Sequence, residues 1–221
     1  MGPGHLIWIL VAAVVGFLAA FLFADLLGLP SDLYYLIYFA IICTLFIAYA
    51  RLTGLAIGDV ASRRWLLALV IGIVVGVVMI GRALSEPQTG RFMGAALVGE
   101  IVWRGLIYGA IDGLLLSGFP WLVAWRAYGA EAAGCGRRIA ASLVAIIGVM
   151  IVTSVYHAGY LDFRGRKLAQ ADIGNLIMSA PTILSGNPMA SAVTHAMLHT
   201  AAVVHAPGTS LFLPPHRQGQ E

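Results

Sequence analysis

The run WLLALVIGIVVGVVMIG, residues 65–81, decides the fold class. It holds no charged side chain, and Arg63 and Arg64 stand directly before it. A helix needs about 20 mostly apolar residues to cross a bilayer. Runs near that length recur at 6–27, 33–50, 138–160 and 189–206. The stretch 92–125 is longer, and as one straight helix it would measure about 50 Å against an apolar slab of ~30 Å. Gly113, Gly118 and Pro120 offer breaks, so one pass followed by an interfacial piece around Phe119–Tyr128 is expected there. The run 173–185 is short and contains Pro181, which suits a half-span or a tilted helix.

Composition agrees with this reading. Of 221 residues, 60% are hydrophobic and 10% charged, and the mean hydropathy is +0.91. A soluble domain carries about 25% charged residues. The expected fold is an all-α, polytopic transmembrane bundle of about 6–8 spans, with N-terminal transmembrane helices over 1–91, a motif-bearing core over 92–206 and an exposed tail over 207–221. The first run is too long for a signal-peptide core and lacks a basic leader, so it reads as a retained span.

Thirteen basic residues against ten acidic ones give a net charge of +3. The cations cluster in connections, at Arg51, Arg63 and Arg64, at Arg137 and Arg138, and at Arg164, Arg166 and Lys167. Short basic loops beside spans are topology signals, and no nucleic-acid partner is expected. Asp25 and Asp32 in the first loop, against the basic second loop, put the N-terminus in the cytoplasm. Two cysteines, Cys43 and Cys135, form neither a disulfide framework nor a zinc signature.

Ionisable residues inside spans are costly, so each is a functional candidate. Glu100 and Arg104 stand four apart and so share one helix face, as an ion pair would. His157 ends its span, and His205 lies at the end of the last. His195 and His199, again four apart, suit either a metal or two hydrogen bonds to a developing negative charge. No glutamate follows His195, so the HExxH zinc-protease helix is absent. Glu100, His157, His195 and His199 are expected to converge in one cavity. Asp112, two turns beyond Arg104, and Asp162, five residues after His157, carry no assignment.

The segment Glu100-Ile101-Val102-Trp103-Arg104-Gly105, then a span ending in a histidine, then His195-x-x-x-His199, resembles the CPBP family over roughly 92–206. That family comprises CAAX prenyl endopeptidases and bacteriocin-processing or immunity proteins, also called Abi. The resemblance implies intramembrane proteolysis of a peptide or prenylated protein substrate near the membrane surface, in a prokaryotic cytoplasmic membrane with lipid as the surrounding partner. It makes His157 the water-orienting histidine, His195 and His199 the oxyanion pair, and Arg104 the anchor of Glu100. The family motif opens on two adjacent glutamates, and here Gly99 occupies the first position. Thr153 also replaces the aromatic that precedes the second-motif histidine by four. The alternatives are a catalytically lapsed scaffold or immunity protein, and a membrane protein holding a divalent metal or haem through His157, His195 and His199.

Overall fold

The computed structural model describes residues 2–209 and 211–216. It is an all-helical bundle, with no strand among the described residues. Helix α1 covers Pro3–Leu26, α2 Ser31–Thr53, the short α3 Ile57–Ser62, α4 Trp65–Leu84, α5 Gly94–Ala127, α6 Cys135–Ala158, α7 Arg166–Ser185 and α8 Met189–His205. Among the described residues, α1, α2, α4, α5 and α6 are long and apolar enough to cross a bilayer. Large apolar side chains stay uncovered along their outer faces, including Leu10, Val14 and Leu18 on α1, Val70, Val74 and Val77 on α4, and Leu143 and Ile147 on α6. Lipid is the medium that such stripes fit, and the chain is an integral membrane protein.

The helix ends follow local chemistry. Pro30 precedes α2 and Asp32 lies in its first turn, where a carboxylate meets the positive end of the helix dipole. Gly54 ends the same helix in the left-handed region at φ 61°. Asn187 Oδ1 accepts the Met189 N–H at 2.8 Å, capping the start of α8.

The break expected inside 92–125 does not occur. Helix α5 runs without interruption through Gly113, Gly118 and Pro120. Two wide, π-type stretches, Ile101–Tyr108 and Leu114–Gly118, relieve it instead. The second comes directly before Pro120 and makes room for a ring that would clash in a regular turn. The excess length is resolved by α2. Near its start α2 presents Asp32 to Arg104 at 3.3 Å, and at its end Thr53 takes two hydrogen bonds from Arg126 at 2.8 and 2.9 Å. The two helices therefore run in the same direction and are pinned at both ends. The segment from Arg104 to Arg126 matches a spanning helix, while the turns before Arg104 extend beyond it. The segment expected as a half-span or a tilted helix is part of a 20-residue helix, α7, which holds Pro181 inside it. The tail expected to be exposed folds back: Leu213 is buried, as is His216, and Pro214 accepts a 2.7 Å hydrogen bond from the buried Tyr35. Residues 210 and 217–221 of that tail lie outside the described ones.

Helix α8 is clasped between α4 and α5 on glycine faces. A Cβ at Gly72 would lie 2.8 Å from the Ala190 carbonyl, and one at Gly109 would lie 2.7 Å from Ala196 Cα. At Gly113 it would stand 2.6 Å from the Ser191 carbonyl and 2.9 Å from His195 Cβ. Glycines spaced by four let membrane helices approach to backbone contact. Gly113 is adjacent to Asp112, so this approach sets the distance between α5's carboxylate and α8's histidines. Gly109→Val and Gly113→Val are expected to lower stability in detergent by about 1–3 kcal/mol each, from overpacking. Gly99→Val, where an added Cβ meets open space, is the control. Thermal unfolding of the three variants checks this, and an unchanged melting temperature in the first two would count against the clasp.

Candidate active site

Asp112 projects from α5 into the contact with α8 and is 4% exposed. Its Oδ2 lies 3.5 Å from His195 Nδ1 and 3.6 Å from His199 Nε2. Its Oδ1 accepts a 3.0 Å hydrogen bond from the Tyr38 hydroxyl on α2. His195 and His199 are themselves buried. Their four-residue spacing puts both on one face of α8, with ring centroids 6.1 Å apart. Tyr108 packs edge-on against His199 at 4.9 Å.

Asn175 of α7 orients the first of these histidines. Its amide nitrogen donates to Thr153 Oγ1 at 2.5 Å and to the Leu116 carbonyl at 3.3 Å. Its Oδ1 is thereby the acceptor, and it receives the Ser117 hydroxyl at 3.0 Å. His195 Nε2 faces the same oxygen at 3.0 Å, so Nε2 carries the proton and donates. A neutral ring then holds a bare lone pair at Nδ1, aimed at the carboxylate.

His157 approaches from α6. Its Nδ1 donates to the Thr153 carbonyl at 2.9 Å, which leaves Nε2 as the acceptor of the neutral ring. Thr153, where the resemblance leads to an aromatic, thus holds two site residues, His157 by its carbonyl and Asn175 by its hydroxyl. Asp112, His157, Asn175, His195 and His199 all line one cavity of about 360 Å³, with walls built largely from apolar side chains such as Met79, Leu116 and Met178. Phe212 and His216, from the folded-back tail, line it too. Few polar groups converging in an apolar cavity is the usual form of a ligand or reaction site.

Three of the four residues expected to converge, His157, His195 and His199, do share this cavity, and Glu100 does not line it. Glu100 pairs with Arg104, whose Nε lies 2.6 Å from Oε2, and Arg104 also reaches Asp32. Arg104 further stacks over Tyr35 and Phe92. Glu100 and Asp112 are twelve residues apart, about 18 Å along the helix. His205 bonds to the Glu86 carbonyl at 2.9 Å, away from the site. The carboxylate of the cavity is Asp112, an intramembrane acid in the sequence that received no role. The signal that singles it out is the glycine at 109 and 113 on either side of it, marking where another helix comes close.

The chain matches no protein-family model, no curated protein and no solved structure.

Asn175→Leu strips His195 Nε2 and the Ser117 hydroxyl of their shared acceptor and the Thr153 hydroxyl of its donor. A loss of about 1–3 kcal/mol per orphaned buried group is expected, read as a lower unfolding temperature. Stability equal to that of the unmodified protein would mean that the amide does not organise the site.

Proposed function

We propose that this chain is an intramembrane hydrolase of the endopeptidase type, with Asp112, His157, His195 and His199 as its reaction centre. One observation carries the reading: a buried carboxylate faces two histidines of another helix, and a third histidine with a free ring acceptor borders the same cavity. The order of the motifs that resemble the CPBP family supports it as well, because their three histidines line that cavity. The membrane proposed for it is a prokaryotic cytoplasmic membrane, and the substrate class is a peptide or a prenylated protein segment near the bilayer surface.

In this reading His157 removes a proton from water, since its Nδ1–H is committed to the Thr153 carbonyl and Nε2 accepts. The water attacks the carbonyl carbon of the peptide bond, and the oxyanion that forms takes an N–H from His199, whose Nδ1 has no hydrogen-bond partner among the described residues. The proton held by His157 then passes to the leaving amine. The apolar cavity walls keep the dielectric low and strengthen each of these interactions.

A non-enzymatic reading, a lapsed scaffold or immunity protein, has one observation in its favour. Glu100 is engaged with Arg104, and Gly99 faces open space rather than the cavity.

The test uses purified protein in proteoliposomes and a fluorogenic peptide ending in farnesyl-cysteine, with an unprenylated peptide beside it. Cleavage is expected to fall by roughly 100-fold or more in Asp112→Asn, His157→Ala and His195→Ala, the scale of a lost general base or electrostatic stabiliser. Glu100→Gln should retain cleavage within about threefold, because Glu100 lies off the cavity. Full activity in Asp112→Asn removes the proposed centre. Activity that appears only in Gly99→Glu makes the chain a lapsed protease.

A further inference from the structure

We infer that Asp112 Oδ2, His195 Nδ1 and His199 Nε2 are the ligands of a divalent transition-metal ion of the zinc class. The site deepens the hydrolase reading by naming what would polarise water there, and it is testable apart from it.

Each of Asp112, His195 and His199 offers one ligand atom within 4.8 Å of those of the other two, and all three side chains are buried. The separations from the carboxylate oxygen, 3.5 and 3.6 Å, are too long for a charge-assisted hydrogen bond, which closes to about 2.7–2.9 Å. They are close to the edge of a tetrahedron drawn around an ion with bonds of about 2.0–2.1 Å, an edge of about 3.3 Å. His195 Nδ1, one of the three, is a buried atom with no hydrogen-bond partner among the described residues.

The tautomer argument is independent of these distances. Asn175 Oδ1 fixes the proton of His195 on Nε2, so the neutral ring turns a lone pair toward Asp112 Oδ2. Two electron-rich atoms facing each other in a buried site repel unless a positive charge sits between them. A cation satisfies both, and it satisfies His199 Nε2 with them. Asp112 Oδ1 and His195 Nε2 are already held from behind by Tyr38 and Asn175, the outer-shell support that ligating carboxylates and histidines use. Two histidines and one carboxylate leave a position for water, which is the ligand set of catalytic rather than structural zinc. The cavity supplies the room for that water, and His157 borders it.

The experiment is Zn²⁺ titration of full-length protein purified in detergent and stripped with a chelator, read by calorimetry, elemental analysis and melting temperature. Co²⁺ serves as the optical probe of a low-coordinate site. The expected result is one ion per chain, a raised melting temperature, and visible Co²⁺ absorption that Zn²⁺ displaces. Asp112→Asn, His195→Gln and His199→Gln should each weaken binding by roughly 100-fold or more, and Asn175→Ala by about 10–100-fold through loss of the outer shell. His205→Ala, off the site, should bind as the unmodified protein does. Binding of less than a tenth of an equivalent, without a melting shift, overturns the metal site. So does undiminished affinity in His195→Gln and His199→Gln. The unmodified protein decides the matter even where a variant fails to fold. Peptide cleavage that persists in chelator removes the ion and leaves the hydrolase reading standing. Stoichiometric binding without cleavage does the reverse.

Discussion

A carboxylate cannot stand alone inside a bundle surrounded by lipid. Placing one at the centre of a span costs about 2.5–3.5 kcal/mol on an insertion scale, and more where water cannot follow it. Asp112 is buried at the meeting of α2, α5 and α8, and the structure around it answers that cost. Tyr38 takes one oxygen, and two imidazoles face the other. Those imidazoles arrive because Gly109 and Gly113 let α8 touch the α5 backbone. With a bulkier α5 face, α8 would stand off and the carboxylate would lose the groups that make it tolerable. Packing and polarity are therefore one constraint here.

The rest of the polar interior grows outward from that point. Asn175 ties α7 to α6 through Thr153 and to α5 through Ser117 and Leu116, while giving His195 its acceptor. Tyr34, Tyr108, Tyr156 and Tyr160 form a buried chain of hydroxyl contacts from α2 through α5 to the end of α6. Buried hydroxyls and amides of this kind are acceptable only when each finds a partner. This network finds them by drawing on α2, α5, α6, α7 and α8, and so ties those helices to one another. Outside it, the helices present plain aliphatic stripes to the bilayer.

The membrane class was legible in the sequence because it rests on local quantities, run length and hydropathy, that need no knowledge of neighbours. The runs around 6–27, 33–50, 65–81, 138–160 and 189–206 each became a helix. Helix α5 was misread because glycine and proline are weighed as breakers in water, whereas a π-type stretch absorbs Pro120 without ending the helix. The buried end of the chain was misread for a related reason: Pro214 and Pro215 forbid a helix, but they do not forbid packing. The histidine pair on α8 was legible from spacing alone. Asp112 was not, since its importance lies in the helix that approaches it, and only the glycine spacing at 105, 109 and 113 encodes that approach.

Glu100 and Asp112 show how depth divides the labour of two acids on one helix. Glu100 lies a turn beyond the point where Arg104 meets Asp32, at the level where α2 begins. There a guanidinium can reach an aqueous boundary along its apolar stem, so an arginine is the affordable partner. Asp112 is about two turns deeper than Arg104. A permanent cation on a long stem has no route to water at that level, and the helix opposite offers imidazole instead, which is neutral when it must be and a strong ligand when an ion is present. An acid tied to arginine loses the freedom to accept a proton or a metal. An acid held by a tyrosine and faced by two histidines keeps it. The depth at which α8 crosses α5 therefore leaves Asp112, rather than the acid in the more familiar sequence motif, as the group free for the proposed chemistry.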